Sequence, residues 1–256
     1  MPWDPAQYLK FAGPRLRPAL DLLQRIDAEA PNIVYDLGAG AGNVTRLIAA
    51  RWPEARITGV DSSAEMLAKA AAESPQIAWQ HTDLGAWRAS AAPDVIYSNA
   101  ALHWLDDHDR LFPAVFDQLA PGGVLAVQIP RNFAAPSHTS ITATALDGPW
   151  RATLEPLLRP SPVAGPEFYY DLLAPRAATL DIWETEYLQV LSGDNPVKEW
   201  TKGTWLSPLL DALEEPQRSR FEAAYAERVA AIYRPRSDGM TLFPFRRLFM
   251  IATAPG

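Results

Sequence analysis

The stretch IVYDLGAGAGNVTRLI, Ile33 to Ile48, sets an acidic residue, Asp36, two positions ahead of the first of three alternating glycines, Gly38, Gly40 and Gly42. Apolar residues before the glycines and a helical pattern after them read as a strand, a tight turn and a helix. Glycines in such a turn let the backbone approach a ligand closely, and the helix amino terminus presents N–H groups that have no intrahelical acceptor. Three readings compete. A dinucleotide loop wants G-x-G-x-x-G, but the position that should hold the third glycine is Asn43 and the glycine comes one place early. A phosphate loop wants a closing Gly-Lys-Ser/Thr, which is missing. The third reading is a glycine turn with no ligand.

Asp36 helps to choose, although it could also serve only to cap the turn. A carboxylate at the carboxyl end of the first strand repels a pyrophosphate and suits a cationic or neutral ligand head. S-adenosyl-L-methionine carries a sulfonium and an α-ammonium and lacks phosphate. Further strands read as ARITGVD (Ala55–Asp61), QIAWQHTD (Gln76–Asp83), PDVIYSN (Pro93–Asn99) and GGVLAVQIP (Gly122–Pro130), with helical patterns at Asn43–Trp52, Ala64–Glu73 and Asp107–Leu119. Their nearly unbroken apolar character implies burial on both faces, hence a parallel α/β sheet. Asp61, beside Ser62, ends the second strand where an acid can accept both ribose hydroxyls; DSSAE would also start a helix there. Asp83 ends the third, where it can take the adenine amino hydrogen with the Leu84 amide at a ring nitrogen, or be a plain loop acid. Asn99 ends the fourth beside the expected methyl donor. These acids at successive strand ends describe one cofactor crevice.

The remaining composition narrows the setting. The 256 residues are 48% apolar, and 23 Lys+Arg against 30 Asp+Glu give a net charge of −7, so no overall field attracts nucleic acid or an anionic membrane. With no cysteine, disulfides, thiolate metal sites and thiol nucleophiles fall away, and no metal is expected. The amino terminus lacks a signal-peptide pattern and no apolar run approaches the length of a bilayer span, which predicts a soluble cytoplasmic protein. Residues 1–30 read as an amino-terminal helical cover for the cofactor with Tyr8 on its inner face, 31–130 as the binding core, and 131–256 as lid helices and closing strands of the same domain. Eight of the 24 prolines fall between Pro130 and Pro175, a density that predicts an irregular, non-sheet segment. ATLDIWETEYLQV (Ala178–Val190) and GMTLFPFRRLFMIATA (Gly239–Ala254) read as strands around helical stretches at Pro196–Leu213 and Pro216–Tyr233.

Taken in order, DLGAGAGNVT, GVDSSAEML, TDLGAW, DVIYSNAALHWLDDH and LAPGGVLAVQIP resemble the successive motifs of the Rossmann-like (class I) S-adenosylmethionine-dependent methyltransferases over Ile33–Pro130. The resemblance implies a seven-stranded, mostly parallel sheet with an antiparallel last strand, carrying a helical lid insertion. Asn-Ala-x-Leu-x-Trp (Asn99–Trp104), PSH (Pro136–His138), YYDLL (Tyr169–Leu173) and FRRLFMIA near the end are similar to the trans-aconitate 2-methyltransferase family, which implies esterification of one carboxylate of a small tricarboxylate. Two alternatives stay open: a carboxyl methyltransferase acting on a carrier-bound malonyl group, and a protein that binds the cofactor without turnover.

An ionised carboxylate needs no general base, because its ordinary pKa near 4 leaves it deprotonated at neutral pH. No catalytic residue is therefore assigned, and proximity and orientation carry the rate. Recognition of a polycarboxylate calls for local cations. Arg131, His138, Arg234, Arg236, Arg246 and Arg247 are the candidates, and since strand neighbours alternate in direction, at most one of Arg246 and Arg247 reaches a site. The family resemblance favours Arg247. His103, Trp104 and Tyr170 are further substrate-site candidates, whereas His108 reads as a surface residue at a helix start and His81 as facing the sheet edge.

Overall fold

The computed structural model describes residues 12–256. The amino-terminal cover expected around Tyr8 falls outside the described residues. Five strands run parallel: β1 (Ile33–Leu37), β2 (Arg56–Asp61), β3 (Ala78–His81), β4 (Val95–Asn99) and β5 (Val124–Pro130). With β6 (Thr179–Leu191) and β7 (Thr241–Thr253) they form a seven-stranded sheet in the order β3-β2-β1-β4-β5-β7-β6, in which β7 is antiparallel to β5. The order reverses between β1 and β4, and a ligand crevice in open α/β sheets forms at such a switch point, outside the strands' carboxyl ends. Val34, Leu37, Val95, Ile96, Val127 and Ile129 are fully buried, as strands covered on both faces require.

Register decides which side chains share a face. Asp36 lies beside Tyr97, Asn99 beside Gln128, and Pro130 beside Arg247. Alternate residues of a strand project to one side, so Asp36, Asn99, Gln128 and Arg247 all stand on a single face. Helix α1 (Ala12–Gln24) covers part of that face: Ala19, Leu22 and Leu23 are buried, and the Tyr97 hydroxyl donates to the Ala19 carbonyl at 2.8 Å. On the same face Trp183 stacks on Phe249 with ring centroids 4.9 Å apart.

The chain divides into two units. The larger comprises Leu16–Pro130, Pro162–Thr185 and Arg247–Gly256; the smaller comprises Arg131–Ser161 and Glu186–Arg246, with residues 12–15. In the larger unit, α2 (Asn43–Arg51), α3 (Ala64–Glu73) and α4 (His108–Phe116) connect the strands, and α7 (Pro166–Leu173) follows the smaller unit's first segment. In the smaller unit, α5 (Pro136–Leu146), α6 (Arg151–Leu154), α8 (Pro196–Lys202), α9 (Ser207–Asp211) and α10 (Gln217–Ile232) surround a core that includes Ile141, Trp150, Trp200, Phe221, Tyr225 and Phe243. Its large aromatics keep their polar ends satisfied: Trp150 Nε1 donates to the Thr144 carbonyl at 2.7 Å and the Tyr225 hydroxyl to the Ser137 carbonyl at 2.9 Å.

The proline-rich stretch after Pro130 is therefore helical in part, against the irregular segment expected. Pro136 and Pro166 occupy the first turns of α5 and α7, where the missing N–H is no loss and the fixed φ favours a helical start. The single helical stretch expected over Pro196–Leu213 breaks into α8 and α9 at Gly203. No helix among the described residues is long and apolar enough to cross a membrane.

Candidate active site

The glycine turn is built in the larger unit by β1 crossing onto the end of β2. Gly38 and Ala39 both donate their N–H to the Val60 carbonyl, at 2.8 and 3.0 Å. Gly38 and Gly42 have φ of 84° and 77°, in the left-handed region, and neither has room for a Cβ: at Gly38 it would lie 2.0 Å from the Ala101 Cβ, at Gly42 2.6 Å from the Trp79 ring. The Gly40 N–H donates to Asp61 Oδ2 at 2.8 Å, while Asp61 Oδ1 accepts from the Ser63 N–H at 2.8 Å. Ser63 in turn accepts from Met66 N at 3.3 Å and caps α3. Asp61 thus fastens the turn to the helix start. Each carboxylate oxygen has two lone pairs, so these backbone bonds leave acceptor capacity for a diol.

Asp36 lies at the carboxyl end of β1, 2% exposed, and accepts from Thr45 Oγ1 at 2.6 Å. Burial drives its pKa up to about 7, the Thr45 bond opposes that rise, and the Asp61 charge adds to it. The nearby Arg46 points elsewhere: it donates to the Ala41 carbonyl and Asn43 Oδ1 and pairs with Glu73 at 3.2 Å. Thr45 went unread in the sequence; a hydroxyl two residues into the helix after a buried strand-end acid is the signal that would have found it. Asp83 closes its own turn by accepting from the Gly85 N–H at 2.8 Å, with Leu84 buried behind it. Ser62 is exposed, and its carbonyl meets His81 Nε2 at 3.0 Å on the edge strand β3.

After β4 the backbone turns sharply at Ala100, whose φ is 52° and whose N–H donates to the Gln128 carbonyl at 2.9 Å. Asn99 Oδ1 is buried with no hydrogen-bond partner among the described residues. His103 is buried beside Trp104, itself 43% exposed. His108, expected at the surface, is buried instead: one ring nitrogen meets the Tyr169 hydroxyl at 2.8 Å and the other the Leu102 carbonyl at 3.0 Å. A carbonyl only accepts, so Nε2 carries the proton and Nδ1 receives the Tyr169 hydroxyl. Burial lowers the His108 pKa, in keeping with that neutral tautomer. Two satisfied ring nitrogens make the inward position stable despite the flanking Asp107 and Asp109. Tyr170, next to Tyr169 on α7, faces outward and is 57% exposed.

Arg247 is 4% exposed and donates through Nη1 to Gln128 Oε1 at 3.2 Å, while Arg246 is exposed and lies 3.7 Å from Glu186. The strand alternation expected of this pair is what the structure has. In the smaller unit Arg131 donates its N–H to the Arg246 carbonyl at 3.0 Å and, with Asn132, Pro136, Glu186 and Tyr233, lines a cavity of about 370 Å³. His138 packs against Phe133 and Trp205, which also meet each other, and burial pushes its pKa down to about 4. It is neutral at pH 7, which corrects its reading as a cation. Arg234 and Arg236 are exposed.

A parallel sheet reversing between β1 and β4, a glycine turn with a buried acid before it, and a second acid tying that turn to the next helix define a Rossmann-like class I methyltransferase. A family model described as a methyltransferase domain matches residues 34–123. Among solved structures, the YcgJ protein of Bacillus subtilis is similar with a TM-score of 0.60 at 13% identity, over 94% of this chain and 99% of that one. The chain is 48% identical to the trans-aconitate 2-methyltransferase of Azoarcus sp. (strain BH72), covering 98% of both chains. It is 45% identical to that of Methylobacterium radiotolerans, covering 98% of this chain and 97% of the relative. The chain belongs to the trans-aconitate 2-methyltransferase family.

Proposed function

We propose that this protein methylates a carboxylate of trans-aconitate, with S-adenosyl-L-methionine as methyl donor. The observation that carries the reading is Arg247, a buried guanidinium on the same sheet face as Asp36 and Asn99. A buried arginine fork is a carboxylate receptor, and Asp36 and Asn99 are acceptors suited to a cationic head. Likeness to trans-aconitate 2-methyltransferases along almost the whole chain supports the same substrate class. We place the reaction in the cytoplasm, a setting that the cysteine-free composition suits.

The cradle fits the donor. Gly38 and Gly42 allow the tight left-handed turn that packs against Ala101 and Trp79; we assign Asp61 to the ribose hydroxyls, Asp83 and Leu84 to the adenine edge, and Asp36 and Asn99 to the amino-acid end. When bound, the donor supplies an electrophilic methyl on a sulfonium, which departs as a neutral thioether as the carboxylate oxygen gains the carbon. The chain's own part is to hold an already ionised carboxylate in line and to exclude water from it. Incubating the protein with labelled donor and a panel of tri- and dicarboxylates tests the reading; labelled methanol released on alkaline hydrolysis of the product identifies an ester. Label in an acid- and base-stable product would sink it.

Two results are expected of the donor site. Asp61→Ala should weaken S-adenosylmethionine binding by roughly 1.5–3 kcal/mol, the scale of hydrogen bonds to a charged group, and calorimetry on the folded variant checks it. Asp36 gives a pH dependence. Its carboxyl is raised to about 7, so in the ligand-free protein the neutral form predominates below that pH. Its contribution to folding stability is greatest at low pH and is lost as pH rises through about 7. A cationic ligand favours the ionised form. Donor affinity should therefore rise with pH from about 5.5 and level off near 7.5, with a proton released on binding in the acidic range. Asp36→Asn should bind at the low-pH level with no such slope. A flat wild-type profile would remove Asp36 from the ammonium.

A further inference from the structure

Gln128 is the one polar residue in the strand VLAVQIP (β5), and it is 0% exposed. Its side-chain oxygen accepts from Arg247 Nη1 at 3.2 Å, while its Nε2 has no hydrogen-bond acceptor among the described residues. The orientation is chemically determined. A guanidinium has donors only, so the amide must turn its oxygen to Arg247 and its nitrogen away. A buried amide donor without an acceptor is costly, and a strand interior offers no reason to keep one for packing. Met or Leu would fill the space.

We propose that Gln128 is a substrate-binding and specificity-determining residue: its Nε2 donates to a carboxylate oxygen of the acceptor substrate while its Oε1 holds Arg247 in place beside it. The inference rests on the carboxylate-methylation reading and deepens it. Register puts Gln128 between Asn99 on β4 and Phe249 on β7, and Arg247 lies one alternation beyond Phe249 on the same face. An arginine and an amide donor side by side present N–H groups from two directions to one anionic group. Asn99, the neighbour on the other side, has a buried acceptor oxygen with no hydrogen-bond partner among the described residues. An acceptor beside a donor divides the two ligands: Asn99 faces the cationic methyl donor and Gln128 the anionic acceptor. A neutral donor here adds recognition without placing a second buried cation next to Arg247.

Two variants separate this role from a purely structural one. Gln128→Glu keeps an oxygen for Arg247, and strengthens that tie with charge, but replaces the donor by a second acceptor. Gln128→Met keeps the volume and removes both functions. If Nε2 binds a substrate carboxylate, Glu is the worse replacement. Its KM for trans-aconitate should rise about 100-fold or more and that of Met about tenfold, with S-adenosylmethionine affinity within about twofold of wild type in both. If Gln128 serves only to hold Arg247, the order inverts, with Glu near wild type and Met severely impaired, and the proposal fails. It fails equally if donor affinity drops while the acceptor KM stays, since the amide would then serve the methyl donor's own carboxylate. Isothermal titration of each variant, loaded with S-adenosylhomocysteine, with the carboxylates of the panel gives the same ranking independently of turnover. Should wild type methylate a different carboxylate, the trans-aconitate reading falls while the Glu-against-Met ranking on that substrate still decides the role of Gln128. Absence of any carboxylate binding overturns both.

Discussion

Arg247→Ala is expected to raise KM for trans-aconitate by about 100-fold, the lower part of the range for losing one partner of a buried, hydrogen-bonded charge pair, with donor affinity nearly constant. Binding energy from a carboxylate that does not react serves to orient the one that does, so kcat should also fall. Arg247→Lys keeps the charge but not the planar fork, and it should recover only part of the loss. The discriminating comparison is with a dicarboxylate that lacks the clamped group. It should lose far less on mutation, because the arginine had less to hold. Equal losses on both substrates, or losses that follow weakened donor binding, would assign Arg247 to the fold or to the cofactor.

Gly38→Ala should destabilise the protein by about 3 kcal/mol. One part is the left-handed backbone at φ 84°, worth roughly 1–2 kcal/mol for a residue with a Cβ. The other is the overlap with the Ala101 Cβ at 2.0 Å, for which overpacking costs of roughly 1–3 kcal/mol are typical. A double-mutant cycle with Ala101→Gly isolates the second part, since clearing Ala101 relieves the collision and leaves the backbone strain. Urea denaturation of the four proteins gives the coupling energy. Strict additivity would mean that the turn relaxes away from Ala101 and that the close approach is not a constraint.

Much of the larger unit was legible because local chemistry and tertiary environment agree there. Strands β1, β2 and β4 close on or beside Asp36, Asp61 and Asn99, and each of the five parallel strands ends within two residues of where its pattern stops. Asp61 reads from sequence as a ligand acid or a helix-start acid; the structure shows the second, with the carboxylate tying Gly40 to Ser63. What escaped depends on partners distant in sequence. His108 looks exposed from its flanking aspartates, and only Tyr169, far along the chain, makes a buried position satisfactory. Gln128 is one polar letter in an apolar strand, silent until β7 sets Arg247 near it. The helices beginning at Pro136 and Pro166 were hidden because proline marks a helix start and a helix break alike, and the flanking pattern did not decide between them.

The connection from Asn99 to α4 begins and ends on residues in the left-handed region, Ala100 at φ 52° and Asp107 at φ 55°, neither of them glycine. Such backbone persists only where its surroundings over-determine it, and here the fastenings are the Ala100 N–H on Gln128 and the His108 ring between Leu102 and Tyr169. The connection therefore behaves like a sprung clip rather than a slack tether. Its two ends would relax on release, so losing one fastening should cost less than that hydrogen bond alone would suggest.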